Sequence, residues 1–213
     1  LRMVTSYLQL IEQRYAGQLD EQAHEFIDFA VGGAARMKQL ITGLLAYSRL
    51  QTSRSEFQQV DLNALVGNVL QNLDIQIKDA AALVECDPLP SLSGNPMLLT
   101  QLSPKLIPNA LKFRRAEPPH VEVRVQRVGP MWQFAVRDSG IGFDARYASR
   151  VFVLFQRLHS QAKYPGTGIG LTICRKVVEI HAGEIWVESQ VGQGTTFYFT
   201  LPAQSAGETT DAG

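Results

Sequence analysis

Cysteine is scarce: Cys86 and Cys174 are the only two in 213 residues, and they stand far apart without the paired spacing of a metal or redox motif. Two reduced thiols in a cytoplasmic protein are expected. No apolar run reaches the roughly 18 residues of a membrane span, and no charged-then-apolar leader opens the chain, so no membrane insertion is expected. Net charge is missing too. Twenty Lys and Arg offset twenty Asp and Glu, which removes the overall field that would argue for nucleic acid or an anionic membrane surface. An initial Met is also absent, and Leu1 already lies inside an amphipathic pattern, which reads as a fragment whose upstream part lies elsewhere. No internal repeat is evident.

What is present divides into two blocks, with enough apolar residues, 45%, for two modest cores. In the first, over 1–52, Leu1, Val4, Leu8, Ile11 and Tyr15 follow the three-and-four spacing of a coiled-coil seam. After the turn "AGQLD", with Asp20 as N-cap, a second seam runs through Phe26, Ala30, Gly33, Met37, Leu40, Leu44 and Tyr47. A hairpin of two such helices leaves much of each seam exposed, so pairing into a dimeric four-helix bundle is expected. Packing of the hairpin on the chain's own C-terminal block is the alternative.

The second block, over 56–202, alternates helical and strand-like segments. "FQQVDL" reads as a strand, with Asp61 capping a helix over "LNALVGNVLQNLDIQIKDA"; "ALVECD" reads as a strand and "LPSLSGN" as a loop. "HVEVRVQRV" and "MWQFAVRD" form a hairpin around Gly129 and Pro130. "LTICRKVVEIHAG" reads as a helix closed by Gly183, followed by a hairpin of "EIWVES" and "TTFYFTL". Helices over one face of a sheet make this an α+β sandwich. The tail, 203–213, reads as disordered.

Chemistry gathers on three glycine segments, "DSGIGFD" (138–144), "GTGIGL" (166–171) and "GQGTTF" (192–197). A carboxylate at Asp138, ending a strand with little bulk after it, can accept a hydrogen bond from the exocyclic amine of adenine, where guanine would present an oxygen. A turn Asp that only caps backbone amides is the bland reading. "GTGIG" before a helix turns free amides and the helix's positive end toward a phosphate chain. It is no dinucleotide fingerprint, since its spacing is G-x-G-x-G and the preceding "HSQAKYP" is a polar loop. That loop is a candidate lid, with Lys163 either meeting phosphates or simply solvated.

"NALKF", "DSGIGFD", "VFVLFQRLH", "GTGIGLTICRKVVEIHAG" and "GQGTTF" follow the order of the N, G1, F, G2 and G3 boxes, and over about 1–202 the chain resembles the sensor histidine kinases of two-component systems. "FQRLH" and the start at Leu1 and Arg2 look most like the kinase modules of bacterial phytochromes. The resemblance implies a dimerisation and histidine-phosphotransfer domain followed by a Bergerat-type ATP-binding domain, with ATP and Mg²⁺ as cofactors. It implies that Asp138 binds the adenine amine with Thr195 in support, and that Gly140 and Gly142 shape the base pocket. Gly166, Gly168, Gly170 and Leu171 would line the phosphates, and Asn109 and Lys112 would serve the phosphate and Mg²⁺ side. Implied partners are a second copy of the chain, a response-regulator receiver domain, and an upstream sensory module, light-sensing by likeness to phytochromes.

Two departures stand out. The family's phosphoacceptor histidine falls just before Leu1, and none of His24, His120, His159 and His181 sits where it would replace it. In addition, the first of the two N-box asparagines is Lys105 here, while Asn109 keeps the second. An ammonium has no lone pair for a cation. Three readings stay open: Lys105 meets phosphates as a metal substitute; the site is degenerate; or Ser103, Pro104, Lys105 and Pro108 depart from the gene's own sequence. Pro104 and Pro108, each costing a helix interior about 3 kcal/mol, are expected to bend or unwind the turn that orients Asn109. The leading functional reading is a kinase that passes the γ-phosphoryl of ATP to an upstream histidine and then to a response-regulator aspartate. The alternative is an impaired member acting as a response-regulator phosphatase or docking scaffold. Another ATPase of the same fold has no need of the heptad hairpin.

Overall fold

The computed structural model describes residues 2–52, 56–158, 164 and 166–203. Leu1, His159, Lys163, most of the expected lid and the tail from 204 onward lie outside them. The chain divides into two compact units, Leu1–Arg49 and Leu50–Gly213. In the first, helix α1 (Arg2–Tyr15) is joined by a short turn to α2 (Glu21–Thr52), and Asp20 caps α2 by accepting the Ala23 N–H at 2.7 Å. No residue of α1 is buried, and Val4, Ile11, Tyr15, Phe26, Met37 and Leu44 of the two seams are exposed.

The second unit is α+β. Its elements are β1 (Gln58–Asp61), α3 (Leu62–Asn72), α4 (Asp74–Asp79), β2 (Leu83–Cys86), β3 (Ser91–Gly94), α5 (Pro96–Leu99), α6 (Ser103–Lys112), β4 (His120–Val128), β5 (Met131–Asp138), α7 (Gly170–Ile180), β6 (Ile185–Gln190) and β7 (Gly194–Pro202). Five strands form a mixed sheet in the order β2-β4-β5-β7-β6, parallel between β2 and β4 and antiparallel elsewhere. Strand alternation decides the layers. Val121, Val123, Phe134, Val136, Phe197 and Phe199 turn to one face, where α6 covers β4 and β5 and α7 covers β6 and β7. Phe134 and Phe199, paired in register, stack at 4.8 Å.

Three expectations need correcting. "SLSG" is not loop: β3 pairs antiparallel with β1, outside the main sheet. The helix expected over 62–80 is two, parted at Leu73, with Asp61 capping the first through the Asn63 and Ala64 amides. The prolines do not unwind α6. It starts at Ser103, so Pro104 falls in the first turn, where an amide has no helical partner anyway, and Pro108 forgoes a single bond. At the end of α7 the left-handed residue is Ala182, while the Gly183 N–H closes the helix on the Val178 carbonyl at 3.0 Å.

Candidate functional site

Helix α6 presents two faces. Leu106, Ile107, Ala110 and Leu111 are buried in the core, while Lys105, Pro108, Asn109 and Lys112, at i, i+3, i+4 and i+7, line a cavity of about 310 Å³. Strand β5 brings Asp138 to the same cavity, β7 brings Thr195, and the start of α7 with the glycines before it supplies the remaining wall. Of the residues expected at the site, Asn109, Lys112, Asp138, Gly142, Gly166, Gly168, Gly170, Leu171 and Thr195 all line it. Gly140 does not. It lies in the turn behind, where its N–H donates to Asp138 Oδ1 at 2.8 Å and an added Cβ would fall 2.3 Å from the Phe113 carbonyl oxygen.

Asp138 is 6% exposed. Its Oδ1 accepts the Gly140 and Thr195 backbone N–H groups, at 2.8 and 3.2 Å, and no described residue donates to Oδ2. Burial outweighs both donors and pushes its pKa from 3.8 up to about 6. The result is an acid held in place by one oxygen, with the other engaged by no described residue. The Thr195 hydroxyl is 3.0 Å from Ser189 Oγ, which also accepts the Phe143 N–H at 2.9 Å, so the β6–β7 end of the cavity is tied to the turn after Asp138.

Facing the glycine segment, Gly168 has φ 71°, and a Cβ there would meet the Gln156 carbonyl oxygen at 2.7 Å. Its own carbonyl accepts the Phe155 N–H at 3.1 Å, which locks the segment to the one around "VFVLFQRLH". Sequence reasoning missed several wall residues. Phe113 and Tyr164 pack their rings at 5.0 Å, Lys112 Nζ stands 4.6 Å over the Phe113 ring, and Arg157 Nη2 donates to the Tyr164 carbonyl at 2.9 Å. The arginine in "FQRLH" was the available signal.

Charge is unevenly placed along the wall. Lys105, Lys112 and Arg157 line the cavity, Asp138 is its one lining carboxylate, and no ion pair joins these cations to any acid among the described residues. Burial, then the Arg157 charge, lowers the Lys112 pKa. The described histidines do other work. His181 is buried, accepts the Asn95 N–H at Nε2 and donates from Nδ1 to the Val177 carbonyl, and stacks on Phe57 at 4.9 Å. His120 lies among Glu85 and Glu122 on the sheet face away from the helices, and His24 contacts the Asp20 carbonyl at the start of α2.

An adenine nucleotide fits these groups: one buried acceptor for an amine, an apolar wall of Ile141, Val151 and Phe197, and cations for phosphates. Mg²⁺ fits poorly. Such a site is built from one or two carboxylates with substrate phosphates and waters, whereas Asn109 stands one turn from both the Lys105 and the Lys112 ammonium, and Asp138, the one lining carboxylate, has a single oxygen that the backbone amides leave open.

Residues 94–205 match the histidine kinase-, DNA gyrase B-, and HSP90-like ATPase family, and the chain belongs to it, carrying the histidine kinase ATPase catalytic domain of two-component systems. The chain is 46% identical to cyanobacterial phytochrome A of Nostoc sp. (strain PCC 7120) over 202 residues, covering 95% of this chain and 26% of that protein. It is 41% identical to the phytochrome-like protein Cph1 of Synechocystis sp. (strain PCC 6803), again over 95% of this chain and 27% of that protein. It thus resembles phytochrome kinase modules while spanning about a quarter of these relatives. Among solved structures, full-length ShkA in complex with AMPPNP aligns with TM-score 0.67 at 22% identity, over 93% of this chain and 42% of that one. Histidine kinase ThkA in complex with the response regulator TrrA aligns with TM-score 0.67 at 20% identity, over 95% and 58%. Among the described residues no helix is long and apolar enough to cross a membrane.

Proposed function

We propose that the cavity binds ATP and that the intact protein is a protein-histidine kinase. The carrying observation is Asp138, a buried carboxylate with one oxygen fixed by Gly140 and Thr195 and the other open, in a cavity whose remaining charges are cations. Oδ2 accepts the adenine amine, and the same acceptor faces an acceptor in guanine, so ATP is preferred to GTP. Thr195 and Ser189 steady the base side; Gly142 leaves room for the ring, and Gly140 acts from behind the cavity by holding Asp138 Oδ1. Lys112 and Arg157 attract the phosphates, and Gly166, Gly168, Gly170 and Leu171 bring backbone close to them at the positive end of α7. Bound ATP supplies the transferable γ-phosphoryl; the chain's residues orient it and stabilise its charge. The ShkA complex with AMPPNP is consistent with this reading.

The proposed acceptor is a histidine upstream of Leu1, from which the phosphoryl passes to a response-regulator aspartate. The exposed apolar seams of α1 and α2 support pairing of two chains into a four-helix bundle as the dimerisation and phosphotransfer domain, 1–52, beside a catalytic domain, 56–202. The phytochrome relatives support a light-sensing module upstream, and the ThkA complex with TrrA supports a receiver domain as partner. Lys105 favours the second reading, an impaired kinase serving as phosphatase or scaffold. Displacement of a fluorescent adenine nucleotide by ATP and by GTP tests the site: ATP must compete far better. Equal competition, or none by either, defeats the assignment. Autophosphorylation of the longer protein, followed by transfer to its regulator, separates kinase from scaffold.

A further inference from the structure

Three cations converge on one cavity without a carboxylate partner among the described residues. Lys105 reaches from α6 to the first turn of α7, its Cδ 3.9 Å from where a Cβ on Gly170 would stand. Lys112 Nζ lies 3.1 Å from the corresponding point on Gly166, and Arg157 is braced by the Tyr164 carbonyl. The amino end of α7, an eleven-residue helix, adds its own positive end beside Lys105. Like charges gathered in a partly buried wall repel one another and cost free energy in the ligand-free chain. A polyphosphate removes that cost.

A divalent cation meets the opposite conditions. It would share the wall with three positive groups, two of them, Lys105 and Lys112, a single helical turn from Asn109, and an ammonium or guanidinium offers it no lone pair. We propose that Lys105, Lys112 and Arg157 supply directly the charge neutralisation that a divalent cation would give, so that this chain holds the polyphosphate of an adenine nucleotide without metal. The inference rests on the ATP-site reading above and adds Lys105 as a phosphate-binding residue.

The test is calorimetric titration of the 213-residue chain with ATP in EDTA and again in excess Mg²⁺, for the wild type and for Lys105→Asn, with adenosine as the phosphate-free ligand. Wild-type affinity is expected to agree within about twofold between the two conditions, while Lys105→Asn loses about tenfold or more in EDTA and recovers with Mg²⁺. Adenosine should bind both proteins alike, which separates loss of a phosphate contact from misfolding. Wild-type binding about tenfold weaker in EDTA than in Mg²⁺ overturns the inference and leaves the ATP site standing. Absence of ATP binding in both conditions overturns the site itself.

Discussion

Asp138 and Thr195 form the last register pair of β5 and β7, and the Thr195 N–H donates to Asp138 Oδ1 at 3.2 Å across 57 residues of sequence. The sheet therefore holds the acid in place before any ligand arrives. Its burial is a cost to the fold that the proposed ligand recovers.

Asp138→Asn should separate stability from binding. The amide oxygen still accepts from Gly140 and Thr195, but the buried charge is gone, so the ligand-free chain should gain about 1–3 kcal/mol at neutral pH. ATP affinity should fall about tenfold or more, because the carboxylate acceptor for the amine is lost. Thermal unfolding and titration of the same sample check both. A lower Tm would argue against an ionised, buried Asp138.

The raised pKa also fixes a pH dependence. In the folded chain Asp138 titrates at about 6, above its ordinary 3.8, so between those values the native state binds more protons than the unfolded one. This group's contribution therefore lowers stability as pH rises through that window, and its cost is fully present above about 6. Binding runs the other way: the ratio of wild-type to Asp138→Asn affinity for ATP should shrink as pH falls below about 6. The ratio cancels titration of the phosphates and of other cavity groups common to both proteins. A flat ratio on both sides of about pH 6 would remove Asp138 from base recognition.

Gly140→Ala should be poorly tolerated, since the new Cβ would sit 2.3 Å from the Phe113 carbonyl and 2.7 Å from Asp138 Oδ1. A loss of about 1–3 kcal/mol is expected, with weaker ATP binding as the turn shifts. Gly67→Ala, with nothing within 4 Å of its Cβ and a place inside α3, should instead gain about 1 kcal/mol. Chemical denaturation of the pair checks both signs.

Ile11→Glu combined with Leu44→Glu should convert a dimer to monomers in sedimentation velocity, because both side chains are exposed in the single chain and lie on the proposed seam. ATP affinity should stay within about twofold, as the nucleotide cavity belongs to the other unit. A wild-type chain already monomeric at micromolar concentration would reject the bundle.

Periodic and punctuated segments were legible in the sequence. The hairpin of β4 and β5 showed as period-two alternation around Gly129 and Pro130, whereas the stripe Lys105, Asn109, Lys112 did not, because Pro104 and Pro108 argued for an unwound helix there. Strand β3 did not, because "SLSG" is short and carries one large apolar residue; only pairing with β1 makes it a strand. The α3–α4 break at Leu73 carries no Gly or Pro to announce it.

Residue types alone determined that an acid ends a strand and that glycines precede a helix, and the family resemblance added that Lys105 stands where an amide was expected. Such features are local, and local propensity and spacing express them. Only the folded chain decided that Asp138 loses its water, that Arg157 and Tyr164 join the wall, and that Lys105 shares it with two further cations. Burial and charge clustering depend on residues far apart in sequence, and no window along the chain contains them together.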